Sequence, residues 1–305
     1  MKLGFRLACA VLALAAGHGA RAEAAGPQIA VTFDDLPAHS TLPPGVTRRQ
    51  VGDSILGTLK AAKLPPVYGF VNGVQIEREP ASAPVLDAWR AAGFPLGNHT
   101  WWHMNLSAVP LPDWEADVVR NEPLLEAKMA RADWRWLRFP YLAEGDTPPK
   151  RAGARAFLRA RGYRIAQVTT SFDDWAFNEP YARCMAKGEA ATVARMETAY
   201  LAAAEGELAR SSAMAHALLG RDIPYVLLMH LGAFDARMLP RLLALYRERG
   251  VGFVTLPQAE ADPFYAASLD LASTAPDTLA GALAAKGLPV PKAAVDLAWL
   301  EQACR

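Results

Sequence analysis

Short apolar runs alternate with longer segments of helical spacing along most of this chain, and that alternation limits the possible folds more than any other feature. Runs at 29–31, 67–71, 94–97, 134–139, 163–168, 223–229 and 251–254 read as strands, each brief, apolar and bounded by turn or polar residues. Helical stretches lie between them at about 47–63, 84–92, 113–129 and 148–161, with Thr47 as an N-cap and with Pro65-Pro66, Gly93 and Gly162 as terminators. A later helix carries Met238, Leu239, Leu242, Leu243 and Tyr246 on one stripe and stops at Gly250, while Pro240 leaves its start open. Parallel strands need crossovers of about a dozen residues or more, which helices supply. The expected class is therefore α/β, with about seven parallel strands covered by helices.

Two intervals depart from the rhythm. Residues 181–220 are rich in Ala, Glu, Met and Leu and read as one or two inserted helices, favoured as packing on the sheet over a lid on substrate. Beyond Pro257 the pattern weakens, and 274–305 holds two short Ala/Leu-rich helical segments separated by 287–291. The expected organisation is one domain over 23–260 with a C-terminal helical appendage, 261–305, folded back on it.

The first 22 residues read as a signal peptide. Lys2 and Arg6 form a charged end, 7–16 an apolar run, and Ala20-Arg21-Ala22 a small-x-small cleavage site. The run is too short to span a bilayer, and no other stretch reaches the roughly 20 apolar residues that a membrane helix needs. A secreted or periplasmic product is expected, with no membrane insertion after cleavage. Cys9 leaves with the leader. Cys184 and Cys304 could then pair in an oxidising compartment or pack reduced and apart, and sequence does not distinguish the two. Removing Lys2, Arg6 and Arg21 from 32 basic residues leaves 29 against 31 acidic ones, a formal charge of −2. That balance argues against nucleic acid as a partner.

Chemistry gathers where strands end. His99-Thr100-Trp101-Trp102-His103 places two imidazoles four residues apart, which on a helix share one face and could reach one ion. Asp34 and Asp35 follow the first apolar run, and a carboxylate with two imidazoles is a normal set for a catalytic zinc-type site. Arg138, Asp174 and His230 fall at equivalent ends of later strands, the end that carries chemistry in parallel barrels. His39 is read as a loop histidine, His216 as an ordinary helix residue, and Trp101 and Trp102 as core in preference to a sugar-stacking surface.

Five motifs in order, Thr32-Phe33-Asp34-Asp35, His99 to His103, Arg138-Phe139-Pro140-Tyr141, Asp173-Asp174-Trp175 and Leu228-Met229-His230, resemble those of the polysaccharide deacetylase family, carbohydrate esterases with a NodB-homology domain. The resemblance implies a distorted (β/α) barrel with fewer than eight strands. It implies that Asp35, His99 and His103 hold a divalent metal, zinc first and cobalt or another divalent ion as alternatives. Asp34 would be the general base, Arg138 its partner, Asp174 the residue orienting Arg138, and His230 the general acid. Tyr141 would offer a backbone N–H to the oxyanion, with Trp175 and Leu228 walling the acetyl methyl group. Phe139 departs from the family, standing where many members have proline.

The implied activity is removal of acetyl groups from N-acetylated or O-acetylated sugars of a glycan. A catalytically silent glycan-binding barrel is the alternative. A zinc peptidase is disfavoured, because Thr100 stands where that mechanism has a glutamate base. The sequence leaves the glycan and the oligomeric state open.

Overall fold

A computed structural model describes residues 26–293 and 295–305; the leader expected over 1–22, with Cys9, lies outside them. Strand β1 (Gln28–Leu36) is the centre of the sheet and is buried along nearly its whole length, as a strand covered on both faces must be. β2 (Tyr68–Val71), β3 (Leu96–Asn98), β4 (Trp136–Leu137) and β5 (Arg164–Ile165) follow one another outward from one edge of β1. β6 (Pro224–His230) pairs along the other edge, and β7 (Gly252–Phe253) pairs with Gln28 and Ile29 at the start of β1. Every pairing is parallel. The chain after β5 then crosses to β6 through a bridge between Thr170 and Leu227, which brings the sheet's two outer strands together. The result is the curled, distorted (β/α) barrel of seven parallel strands that the alternation and the resemblance imply.

β4 and β5 are shorter than the apolar runs 134–139 and 163–168, for a visible reason. Arg138 Nε donates to the Ala166 carbonyl at 2.7 Å, and the Gln167 N–H donates to Glu260 at 2.7 Å. Buried charged side chains thus occupy backbone groups that a longer ladder would use.

Thr47 caps helix Arg48–Ala61 with a full capping box through Gln50. Helix Ala233–Glu248 starts well before Pro240 and contains it; the Phe234 N–H in its first turn donates to the Asn178 side chain at 2.8 Å. The 181–220 interval is two helices, Asn178–Lys187 and Ala190–Leu219. The longer one buries Val193, Met196, Tyr200, Leu208 and Met214, so it packs on the barrel instead of covering an opening.

After Pro257 come helix Leu279–Ala285 and the short turn Ala298–Gln302. Cys184 and Cys304 form a disulfide with their Cα atoms 5.1 Å apart, which settles the alternative that the sequence left open. It closes a loop of 120 residues, for which the chain-entropy argument gives about 4–5 kcal/mol and native disulfides typically about 2–4. Cys304→Ser should therefore lower stability by about 2–4 kcal/mol in a urea titration, with a lower midpoint and a steeper slope because the uncrosslinked unfolded chain exposes more surface; an unchanged midpoint would show that the bond contributes nothing. Among the described residues, no helix is long and apolar enough to cross a membrane.

Candidate metal centre and catalytic cleft

Parallel register sets the site. Asp34 sits opposite His230 across β1 and β6, while His99 and Arg138 directly follow β3 and β4. All four therefore emerge at the C-terminal end of the sheet, where crossovers converge.

Asp34 is 2% exposed, and its carboxylate lies 3.2 Å from Arg138 Nη1. Burial raises it to about 6 against the pull of Arg138. The guanidinium is fixed on three sides, donating to Ala166 O, to Asp34 and to Thr32 Oγ1, and it lies over the Phe70 ring.

Asp35 divides its two oxygens. Oδ1 faces His99 Nε2 at 3.6 Å and His103 Nε2 at 3.5 Å, while Oδ2 meets His39 Nδ1 at 2.8 Å. Burial alone would raise its pKa, but the His39 hydrogen bond and the surrounding imidazoles hold it well below the usual carboxylate range.

The two imidazoles do not share a helix face, contrary to the sequence expectation. Residues 99–103 form an irregular loop in which Thr100 has φ 59° and His103 φ 58°. Asn98 Oδ1 accepts the Thr100 N–H at 2.8 Å, and Asp117 accepts the Trp102 N–H at 3.0 Å. Short polar side chains thus take the donors that a helix would pair with its own carbonyls. Trp101 lies against Gly73, where a Cβ would come within 2.1 Å of its ring. Trp102 is flanked by Arg78 and Arg120, and neither tryptophan lines the cleft.

His99 Nδ1 donates to the Arg138 carbonyl at 2.7 Å, which leaves the Nε2 lone pair facing Asp35. Burial lowers both His99 and His103 to about 4. A bare Nε2 on His99 and the neutral ring of His103 thus both face one carboxylate oxygen, an arrangement that a cation would bring together. Their separations also fit: metal–ligand lengths of about 2.0–2.1 Å in a tetrahedron place ligand atoms about 3.4 Å apart. The three donors suit a divalent ion.

A second trio, Asp35, His39 and His230, also lies within ligand reach. His230 is engaged elsewhere. Asp174, fully buried, accepts the His230 backbone N–H at 2.6 Å and its Nδ1–H at 3.0 Å. Burial works against the imidazolium, yet Asp174 overrides it and lifts His230 to about 10. A protonated imidazole cannot ligate, so the first trio is the better ion site. The same contacts correct one expectation: Asp174 orients His230, not Arg138, because its position beside β6 places it under that ring.

His39 is the residue that sequence reasoning passed over. The Ala38 N–H donates to the Asp35 carbonyl at 2.9 Å, turning the loop so that the His39 ring lies against Asp35 and 4.7 Å from the His230 ring. The spacing of four residues from Asp35 was the signal in the sequence, but that turn gives it meaning.

These groups line a cleft of about 460 Å³ with Tyr141, Trp175 and Leu228 on its walls. Tyr141 is 67% exposed and has φ 58°, with its ring 4.6 Å from that of His103. Phe139 stacks on Trp114, ring centroids 5.2 Å apart, so the departure from proline fills the core beneath the loop. Ten non-glycine residues have left-handed φ among those described, and Asp35, Ser40, Thr100, His103, Tyr141, Leu142 and Asp173 all belong to segments around the cleft. Such clustering of sparsely populated backbone is typical of functional sites.

Residues 21–157 match the family model for polysaccharide deacetylase, a stretch that takes in Asp34, Asp35, His99, His103 and Arg138. Over that stretch the chain is similar to the polysaccharide deacetylase family. Asp174 and His230 lie beyond the matched stretch; the structure brings His230 to the same cleft with Asp174 buried beneath it. A search of the curated proteins found no match. Among solved structures, the chain is similar to the chitin deacetylase of the fungal pathogen Colletotrichum lindemuthianum (20% identity, TM-score 0.54, 77% of this chain and 88% of that one). It is also similar to a deacetylase named T48 solved with substrate (18%, 0.50, 77% and 92%). A third is a CE4 family pseudoenzyme from Bacillus anthracis (14%, 0.52, 83% and 69%). At such identities the likeness establishes the fold. Since that fold also carries a pseudoenzyme, turnover has to be argued from the residues of this chain itself.

Proposed function

We propose that this chain is an exported, divalent-metal-dependent hydrolase that removes acetyl groups from N-acetylated or O-acetylated sugars of a glycan. One observation carries the reading: donors of Asp35, His99 and His103 converge on a single point, with Asp34 and His230 at the same cleft, each held by an opposite charge. A bound divalent ion, zinc first from the donor set, supplies polarisation of the acetyl carbonyl and acidification of water. Asp34 Oδ accepts the proton of the attacking water, and Arg138 keeps that carboxylate oriented. His230, protonated at neutral pH, delivers a proton to the departing amine or alcohol, so that water and acetylated sugar yield acetate and free sugar. The backbone N–H of Tyr141 supports the oxyanion, and Leu228 and Trp175 bound the space for the methyl group. Export is supported by the leader pattern and by the Cys184–Cys304 bond, which suits an oxidising compartment.

Acetate release from acetylated chito-oligomers and acetylxylan, with and without chelator, tests the reading; intact binding with no release from any substrate would replace it with a silent glycan-binding barrel. The pH profile of kcat/KM should be bell-shaped. Below about 6 Asp34 gains a proton and cannot accept another, and above about 10 His230 has none to give. A bound cation favours the deprotonated form of each and moves both limbs downward. Asp174→Asn removes the charge that sustains the imidazolium, so its alkaline limb should fall further; an unmoved limb would exclude His230 as the acid.

His39 fixes Asp35 Oδ2 and so leaves Oδ1 for the ion. His39→Ala is expected to weaken zinc affinity about 10–100-fold in competition titrations, as loss of a hydrogen-bonded partner of a ligand does. Unchanged affinity would remove His39 from the site.

A further inference from the structure

The turn after β4 carries backbone that the proposed chemistry uses, and its conformation is costly to hold. Tyr141 and Leu142 are consecutive non-glycine residues in the left-handed region, with φ 58° and 54°, which persists only where the surroundings impose it. The N–H groups of Leu142 and Ala143 turn back to the carbonyls of Phe139 and Pro140 at 3.0 and 3.1 Å. That of Tyr141 meets no protein acceptor among the described residues and stays available at the cleft wall.

The turn is anchored on both sides. Before it, Phe139 stacks on Trp114 in the core. Three residues past Tyr141, Glu144 enters a cluster of buried charge. Its Oε2 accepts from Arg151 Nε and Arg155 Nε, each at 2.9 Å, and its Oε1 accepts from Arg155 Nη2 at 3.3 Å. Both arginines belong to helix Pro148–Ala160, and Arg155 is 1% exposed. Asp277, from the C-terminal appendage, accepts from Arg155 Nη2 as well and lies 3.2 Å from Arg151 Nη2. The Ala267 carbonyl of the same appendage accepts from Arg155 Nη1 at 3.0 Å. Two carboxylates from segments far apart in the chain thus clasp one pair of guanidinium groups.

Stability alone does not account for such a cluster, because apolar side chains of similar volume often serve as well as a buried ion pair. What paired guanidinium–carboxylate bonds add is direction: their planar geometry fixes where the carboxylate, and so its backbone, must lie. The backbone fixed through Glu144 is that of the Tyr141 turn.

We propose that Glu144, Arg155 and Asp277 are positioning residues for the Tyr141 N–H: their clamp holds the left-handed turn in place, and through Asp277 the C-terminal appendage takes part in catalysis. The proposal rests on the deacetylase reading above, yet it can fail separately from it.

Glu144→Gln and Asp277→Asn keep side-chain volume and remove the charge, and either variant decides the matter if the other does not fold. Hydrogen exchange is followed by mass spectrometry on the disulfide-bonded, zinc-loaded protein. In each variant the amides of 140–147 should exchange about ten-fold or more faster, while those of 99–103 stay within about two-fold, because opening is local to the released segment. The kcat for acetate release from acetylated chito-oligomers or acetylxylan should fall about 10–100-fold, as misplacing an oxyanion donor does. KM should stay within about three-fold, and zinc affinity should not change. Unaltered exchange at 140–147, or faster exchange with kcat within about three-fold of the parent, overturns the proposal. Exchange that quickens throughout the barrel, or failure of both variants to fold, also overturns it, since the cluster then serves the fold alone. If the unsubstituted protein releases no acetate from any substrate, the deacetylase reading falls, while exchange at 140–147 still decides the clamp.

Discussion

Asp34→Asn is expected to lower kcat for acetate release by about 10²–10⁴-fold, the usual contribution of a positioned proton acceptor, with KM changing little. The side chain is 2% exposed and within 3.2 Å of Arg138, so asparagine occupies the same space but cannot take a proton. Removing the charge leaves Arg138 buried without its counter-ion, a loss that can reach about 3–5 kcal/mol for a broken buried pair. Arg138 retains its bonds to Ala166 O and Thr32 Oγ1, which limits the damage. Circular dichroism and a thermal melt separate the two effects, since a folded variant with lost turnover is a chemical result. Activity within ten-fold of the parent would exclude Asp34 as the base.

Stripping the ion should be at least as severe. Dialysis against a chelator is expected to reduce acetate release by about 10³-fold or more, several kcal/mol of transition-state stabilisation, and zinc added back should restore it. His99→Ala should show the same loss without recovery at stoichiometric zinc, because Nε2 of His99 is one of three donors grouped on Asp35 Oδ1 and their common centre. Full activity after verified ion removal would sink the mechanism and leave a barrel with an unexplained cluster of imidazoles.

Much of the barrel was legible from the chain because its code is local. Each of the seven apolar runs became a strand, and Thr47, Gly93 and Gly162 fell at the expected helix boundaries. The loop at 99–103 was misread as a helix for an equally local reason: a spacing of four suits a helix, and nothing nearby in sequence announces that Asn98 and Asp117 will capture the Thr100 and Trp102 N–H groups. Asp174 was matched to the wrong partner because its choice between Arg138 and His230 depends on where the segment after β5 meets β6.

The order of residues already carries the chemical inventory: which carboxylates, imidazoles and guanidinium group are present, and that they sit where strands end. Side-chain alternation and helix spacing act over a few residues, so a reader of the string can recover them. Long-range packing alone settled which oxygen of Asp35 faces His99 and His103, that His39 takes the other, that Asp174 grips His230, and that the last residues are fastened beside the cleft. Those outcomes depend on contacts between segments far apart in the chain and on left-handed backbone at single residues, which surrounding packing imposes and local sequence does not specify.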